Sequence, residues 1–244
     1  MLNSSNTALV LCGHGSSFKL YEQDFKKNYR MIEEKIHTNC YFCFIEKSKP
    51  SIEDCLKAIK KKGIKKIFFF PFLLFNGKHF EKDIKAKIKK LSENLQLDIE
   101  LIDKISLTKE VMPIVKKRVS KILKKNKTNI FVTFCSGSKD PNVSLELKIY
   151  TKKLVKNLNF TNFYSYFVGE EIEFLKKIKN LKNENYFLII QPVFLFKGYL
   201  QNKNLVFFNK FNATNHHVLD NLMKIDDIRN LIVKKLKGIF LINN

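Results

Sequence analysis

The sequence predicts an α/β protein of two similar tandem domains, each a parallel sheet flanked by helices, which face each other across a cleft. Three observations predict this class. Short apolar runs alternate with segments of helical periodicity. Polar residues follow several of the runs directly. Landmarks of the first half return in the second half at a nearly constant shift, which is typical of an internal duplication.

The clearest strand lies near the middle of the first half. Residues 67–70 read IFFF and continue into Pro71. A continuous apolar run of this kind is typical of a strand that is buried on both faces. The segment that follows reads FLLFNGKH and ends at His79. Open α/β sheets bind their ligands at the carboxyl ends of strands, so we expect His79 at such an edge.

The remaining elements of the first half follow in order. Strands are predicted over residues 8–12, 40–45, 67–70 and 97–102, and helices over residues 21–36, 51–63, 84–95 and 110–123. Apolar residues lie on one face of the first helix at Phe25, Tyr29, Ile32 and Ile36. For the second helix we expect Ser51 as the N-cap with Asp54 as its carboxylate partner, and Gly63 at the C-terminal end.

Three of these strands are followed by a polar side chain. His14 lies between two glycines after the first strand, Glu46 ends the second strand, and His79 follows the third. Strands that alternate with helices form parallel sheets, and right-handed crossovers are the rule. The carboxyl ends of parallel strands share one edge, so we expect these three side chains to converge.

The polar segment KKNKTN at residues 124–129 is the predicted linker. It divides the chain into an N-terminal domain, residues 1–124, and a C-terminal domain, residues 125–244. Ser136 follows a second-half strand at residues 130–134 and lies 122 residues after His14. Pro192 follows a strand at residues 187–190 and lies 121 residues after Pro71. The two shifts agree, which supports the duplication.

The two halves differ in their polar residues. Ser136 occupies the position of His14, Leu200 occupies the position of His79, and Glu46 has no clear counterpart in Phe167-Val168-Gly169. We therefore expect a degenerate C-terminal repeat that retains the fold. The simplest hypothesis is one working site in the N-terminal half, covered by the other half.

The charge balance needs interpretation. Lysine plus arginine total 45 and aspartate plus glutamate total 23, a formal net charge of +22. The excess is mainly lysine, spread over the predicted helices beside abundant Asn, Ile and Phe, as in proteins of AT-rich genomes. We favour a solvated lysine surface. One alternative is a basic field that attracts a polyanionic substrate. The other is binding to nucleic acid, but no RNP, helix-turn-helix or zinc-finger pattern is present.

The cysteines and the chain start indicate a cytoplasmic protein. Cys40 and Cys43 form a C-x-x-C pattern inside an apolar run without a second pair, so we interpret them as buried thiols. The start MLNSSNTALVLCG lacks the basic region and cleavage site of a signal peptide. No apolar run approaches the roughly 20 residues of a membrane span. These features fit a reducing compartment and no membrane partner.

Two imidazoles and a carboxylate at one sheet edge suit a divalent metal. No fourth ligand is evident, so the site would stay open, unlike a structural zinc site. Structural roles remain open for each residue, since a histidine can be a core residue and Glu46 can pair with Lys47 or Lys49. His216 and His217 lie in a polar stretch that suggests a loop or cap. His37 falls at a helix end, where a cation suits the dipole.

The motifs together resemble the sirohydrochlorin chelatase family, the class II chelatases that include cobalt-inserting and iron-inserting enzymes. They are LCGHGS at residues 11–16, FIE at 44–46 followed by PSI at 50–52, and PFLLF at 71–75 followed by GKH at 77–79 and DI at 83–84. The resemblance covers residues 8–124 with all three motifs in order. It extends more weakly over residues 130–242 as a second copy that lacks the histidines.

The resemblance implies two chelatase-like domains that insert Co²⁺ or Fe²⁺, with Ni²⁺ as a third candidate, into sirohydrochlorin for cobalamin or siroheme synthesis. It implies catalytic roles for His14, His79 and Glu46, with the metal on the two histidines. The tetrapyrrole would contact Glu46, Leu74, Phe75, Asn76, Gly77, Lys78 and His79. We expect no organic cofactor, no nucleic-acid partner and a monomer. The alternative is a metal or tetrapyrrole carrier of the same fold without catalysis.

Overall fold

The structure, a computed structural model, describes residues 6–75, 84–179, 185–211 and 215–242, without the side chains of residues 179, 210, 211, 241 and 242. The described residues form two four-stranded sheets, and in each the first strand in sequence lies between the second and the third, with the fourth at the edge beside the third. Neighbouring strands pair in parallel throughout both sheets. This architecture confirms the predicted α/β class with two parallel sheets flanked by helices.

The first sheet and its helices follow the predicted alternation. The elements are β1 (Thr7–Gly13), α1 (Lys19–Ile36), β2 (Asn39–Phe44), α2 (Ile52–Lys61), β3 (Lys66–Pro71), α3 (Ala86–Leu95) and β4 (Asp98–Leu101). Strand β1 lies between β2 and β3 and is buried along its whole length. Its central position explains why residues 8–12 are apolar without alternation. The same holds for Phe68, Phe69 and Phe70 of β3, which are fully buried.

The second sheet repeats this order. A π-helical turn (Leu107–Val111) and α4 (Met112–Ser120) lead to β5 (Thr128–Cys135), α5 (Pro141–Val155), β6 (Asn162–Phe167), α6 (Glu171–Lys179), β7 (Tyr186–Pro192), α7 (Tyr199–Phe211) and β8 (His216–Val218). A short 3-10 turn (Leu222–Lys224) and α8 (Asp226–Ile242) complete the described chain. His216 and His217 thus form an edge strand, not the loop or cap that the polar sequence suggested. Backbone pairing with β7 overrides the weak local preference.

Equivalent backbone hydrogen bonds support the internal duplication. In the first sheet the Phe72 N–H donates to the carbonyl of Cys12 at 2.8 Å. In the second sheet the Val193 N–H donates to the carbonyl of Phe134 at 2.8 Å. The acceptors are 122 residues apart in the sequence and the donors 121, the shifts seen in the motifs. The repeat is therefore one of backbone geometry as well as of residue pattern.

The local signals of the first half agree with the structure. Ser51 is the N-cap of α2 and forms a capping box with Asp54. Gly63 has a φ of +76° just beyond the helix, a left-handed conformation that glycine adopts more readily than other residues do. His37 ends α1 in a left-handed conformation. The predicted buried thiols are also confirmed, since all five cysteines are free and buried.

The chain divides into two compact units whose extents differ from the predicted domains. Unit 1 comprises Met1–Ile105 and Arg229–Asn244, and unit 2 comprises Ser106–Ile228. Most of the last helix, from Arg229 onward, belongs to unit 1, where Phe240 packs edge-on against Phe68 of β3, at 5.1 Å between ring centroids. Helix α4 belongs to unit 2, where the Lys116 ammonium donates to the carbonyl of Lys156. Contacts at a distance in sequence, which composition does not reveal, set these extents.

None of the helices in the described ranges combines the length and the apolar character that a membrane crossing requires.

Candidate active site

The first candidate residue, His14, follows β1 at the carboxyl edge of the first sheet. Gly13 lies so close to α1 that an added Cβ would approach Phe25 Cε2 to 2.8 Å. The absence of a side chain therefore lets the end of β1 pack against Phe25, one of the fully buried rings of this unit. His14 is placed at the point where the chain leaves the sheet, and its side chain is 42% exposed.

Glu46 reaches the same place from β2. Beyond the strand, the Ile45 N–H donates to the carbonyl of Gly13 and the Glu46 N–H donates to the carbonyl of His14, both at 3.0 Å. The parallel pairing thus extends past both strands. As a result the Glu46 carboxylate Oε1 lies 3.6 Å from His14 Nδ1, and the Glu46 side chain is also 42% exposed. The predicted convergence holds for these two residues.

Gly15 is required for this close approach. Its φ is +92°, a conformation that L side chains rarely adopt. A Cβ built on Gly15 would lie 1.8 Å from the carbonyl oxygen of Glu46. The two loops therefore touch backbone to backbone, and only glycine fits at this position.

The charges around Glu46 come from two sides. The Lys47 ammonium lies 3.6 Å from Oε1, the same oxygen that faces His14. Lys49 instead lies 3.5 Å from Asp54. The alternative role for Glu46, an ion pair with a neighbouring lysine, is thus met by Lys47 but does not displace the histidine.

Tyr21 lies beneath the loop that carries His14. Its hydroxyl accepts a hydrogen bond from the Gly15 N–H at 3.3 Å. Burial raises the pKa of Tyr21 to about 12, although backbone hydrogen bonds from Gly15 and His14 oppose the shift. The phenol is therefore neutral at physiological pH and acts as a fixed support for the loop.

The segment after β3 is described only in part. Phe72 is buried and packs edge-on against Phe70, at 5.1 Å between centroids, so its ring belongs to the core. Leu74 is also buried, and its carbonyl accepts from the Lys104 ammonium at 2.5 Å. Phe75 is half-buried. Asn76, Gly77, Lys78 and His79 lie outside the described residues.

Chemically, His14 and Glu46 supply one nitrogen and one oxygen donor to a divalent ion. Imidazole suits iron, cobalt and nickel, and carboxylate adds charge neutralisation. Within the described residues no group of three or more His, Cys, Asp or Glu side chains is arranged to hold a metal. His79, which the sequence motif assigns to the same site, lies outside these residues.

The corresponding edge of unit 2 has a different chemistry. Ser136 follows β5, and the Val168 N–H donates to the carbonyl of Cys135 as Ile45 does to Gly13. Gly169 then occupies the position of Glu46. Leu200, at the position of His79, is 38% exposed. This edge retains the backbone arrangement and offers no imidazole at these positions.

Sequence reasoning missed Ser48. Its hydroxyl accepts from the Ser16 N–H at 3.1 Å and donates to the Ser16 carbonyl at 3.0 Å. A serine in a loop between two lysines carries no distinctive pattern. Its position two residues after Glu46 is the one signal that was present.

Comparison with known proteins places these residues in a family. The family model described as CbiX matches residues 8–122. A sirohydrochlorin cobaltochelatase of Sulfurisphaera tokodaii is 30% identical over 116 residues, which are 48% of this chain and 93% of that protein. A sirohydrochlorin ferrochelatase of Priestia megaterium is 24% identical over 209 residues, 81% of this chain and 76% of that protein.

Solved structures agree at the level of the fold. SirB from Bacillus subtilis with Fe³⁺ matches with a TM-score of 0.78 and 22% identity, over 95% of this chain and 94% of that one. The sirohydrochlorin chelatase SirB from Bacillus subtilis subspecies spizizenii in complex with cobalt matches with a TM-score of 0.74 and 19% identity over the same shares. Because this chain is 30% identical to the Sulfurisphaera tokodaii cobaltochelatase and covers 93% of that protein, it belongs to the sirohydrochlorin chelatase family.

Proposed function

We propose that this protein inserts Co²⁺ or Fe²⁺ into sirohydrochlorin. The observation that carries the proposal is that His14 Nδ1 and Glu46 Oε1 lie 3.6 Å apart at the carboxyl edge of the first sheet. This edge is where open parallel sheets bind ligands. The family supplies the reaction, and its members include proteins named for cobalt and for iron.

Insertion exchanges one divalent ion for two pyrrole N–H protons. We assign His14 and His79 to hold the incoming ion, the second from its motif position alone. Two imidazoles and one carboxylate bind cobalt and iron without closing the coordination sphere, so the ion can be released. As the ion enters the ring, the His14 imidazole can accept one of the two pyrrole protons, and the other passes to solvent water. Glu46 Oε1, 3.6 Å from Nδ1, would then stabilise the imidazolium.

The substrate would contact Glu46 and the segment from Leu74 to His79. Because Leu74 is buried, Phe75 is the described member of this segment whose side chain is available for the ring face. The substrate is rich in carboxylates and the chain has a formal net charge of +22, so electrostatic attraction favours capture. The Lys47 ammonium, 3.6 Å from Glu46 Oε1, is the described cation beside the proposed position of the ion.

We further propose that the predicted N-terminal domain, residues 1–124, carries the chemistry and that residues 125–244 are a degenerate repeat. The buried free thiols fit a cytoplasmic protein. We propose a monomer that needs no organic cofactor and binds neither nucleic acid nor membranes. Ni²⁺ is a third candidate substrate, since imidazole ligands accept it as well.

The test is an insertion assay with purified protein. Sirohydrochlorin is mixed with Co²⁺, Fe²⁺ or Ni²⁺, and the absorbance change is compared with a metal-only blank. We expect acceleration by the wild type and none by His14→Ala. Absence of acceleration together with tight binding of metal or tetrapyrrole would instead identify a carrier and contradict the proposed activity.

A further inference from the structure

Two side-chain hydrogen bonds of Ser48 continue the pairing between the loops after β1 and β2. The backbone ladder itself ends at Glu46, whose N–H donates to the His14 carbonyl. Two residues further along each loop, the Ser48 hydroxyl bonds both the N–H and the carbonyl of Ser16, at 3.1 and 3.0 Å. One hydroxyl thus replaces the donor and the acceptor that a neighbouring strand would provide.

The local backbone brings Ser48 into this position. Lys47 has a φ of +59°, and the Ser48 N–H donates to the Glu46 carbonyl at 2.7 Å. The chain therefore turns back on itself between Glu46 and Ser48. That carbonyl is also the group that excludes a Cβ at Gly15. Ser48 thus holds the backbone of both loops, at Ser16 and at Glu46, next to the contact between His14 and Glu46.

Unit 2 provides an internal comparison. The Ser138 hydroxyl accepts from the Asp140 N–H at 3.1 Å, as the Ser16 hydroxyl accepts from Phe18 at 3.1 Å. The Gly169 N–H, at the position of Glu46, donates to the carboxylate of Glu171 at 3.0 Å. Glu171 takes the position of Ser48 in the alignment of the two repeats. The hydroxyl bridge thus occurs in the unit that has the histidine–glutamate pair.

We propose that Ser48 is a positioning residue for metal insertion, which acts through the backbone of Ser16 and Glu46 without touching substrate. This inference rests on the proposed function of the same site. Removal of the hydroxyl leaves the Ser16 N–H and carbonyl without this partner. The two loops then separate or rotate, and a displacement of about 1 Å at reacting groups can cost on the order of a hundredfold in rate.

The experiment compares Ser48→Ala with Ser48→Thr, which keeps a hydroxyl. Ser92→Ala is the matched control, because Ser92 also bonds a backbone carbonyl, that of Leu97 at 2.6 Å, in the same unit. We expect Ser48→Ala to lower kcat for Co²⁺ insertion by about tenfold or more with a smaller change in the KM for sirohydrochlorin. Ser48→Thr should restore most of kcat, and Ser92→Ala should leave it unchanged.

A second measurement does not depend on turnover. The NMR resonances of the His14 imidazole should shift in Ser48→Ala and stay in place in Ser92→Ala. Unchanged kcat and unchanged His14 resonances in a destabilised Ser48→Ala protein would overturn the inference and leave Ser48 a purely structural role. If the wild type inserts no metal, the proposed function fails, and the His14 resonances still decide whether Ser48 positions that ring.

Discussion

Replacement of Gly15 by alanine tests the backbone contact on which the site depends. The added Cβ would lie 1.8 Å from the Glu46 carbonyl oxygen and 3.0 Å from its carbon. The first distance is far shorter than van der Waals contact and the second is also tight, and backbone atoms cannot rotate away as a side chain does. We therefore expect Glu46 to be displaced from His14, with a loss of metal insertion of at least tenfold.

The effect on stability can be worked out from the contacts that must change. A left-handed conformation costs an L residue roughly 1–2 kcal/mol relative to glycine. The moved Glu46 peptide also weakens two hydrogen bonds, from its N–H to His14 and from Ser48 to its carbonyl, at about 1 kcal/mol each. The expected loss in the free energy of unfolding is therefore about 3–4 kcal/mol, measured by urea denaturation.

Gly63→Ala is the matched control. Gly63 has a φ of +76°, but no atom lies within 4 Å of a Cβ added there. This variant should lose only the conformational cost of about 1–2 kcal/mol and should insert metal at the wild-type rate. Equal losses of stability and activity in the two variants would refute the close-contact argument, because they would show that the backbone conformation alone matters.

Further predictions concern single side chains. His14→Ala and His79→Ala should each abolish insertion while the circular dichroism spectrum stays native; wild-type rates in either variant would contradict the assignment. Ser136→Ala should be nearly silent in the same assay, and a large loss would show that unit 2 contributes chemistry. Burial, with a smaller effect of the Glu33 charge, raises the pKa of the Cys40 thiol to about 12. The folded state thus retains a proton that the unfolded state loses near pH 9, so this contribution to stability is complete below pH 9 and is lost as the pH rises towards 12. Relative to Cys40→Ala, the urea midpoint of the wild type should fall over that window, and a constant difference would count against a buried thiol.

Local patterns in the sequence predicted much of the fold. The run IFFF predicted β3 because a strand covered on both faces excludes water from every side chain. The cap at Ser51 and the left-handed Gly63 were predictable because they depend on a few adjacent residues. The motif around His14 and the position of Glu46 predicted two members of one site, since parallel strands end at a common edge.

The sequence by itself thus determined the alternation of elements, the duplication and the residue types that meet at the edge of the first sheet. Only the tertiary structure decided that α8 packs with unit 1, that Phe72 and Leu74 belong to the core, and that Ser48 joins the two loops. The reason is physical. Periodicity and capping arise from neighbours along the chain, whereas packing partners and loop contacts depend on which distant atoms the folded backbone brings within a few ångströms.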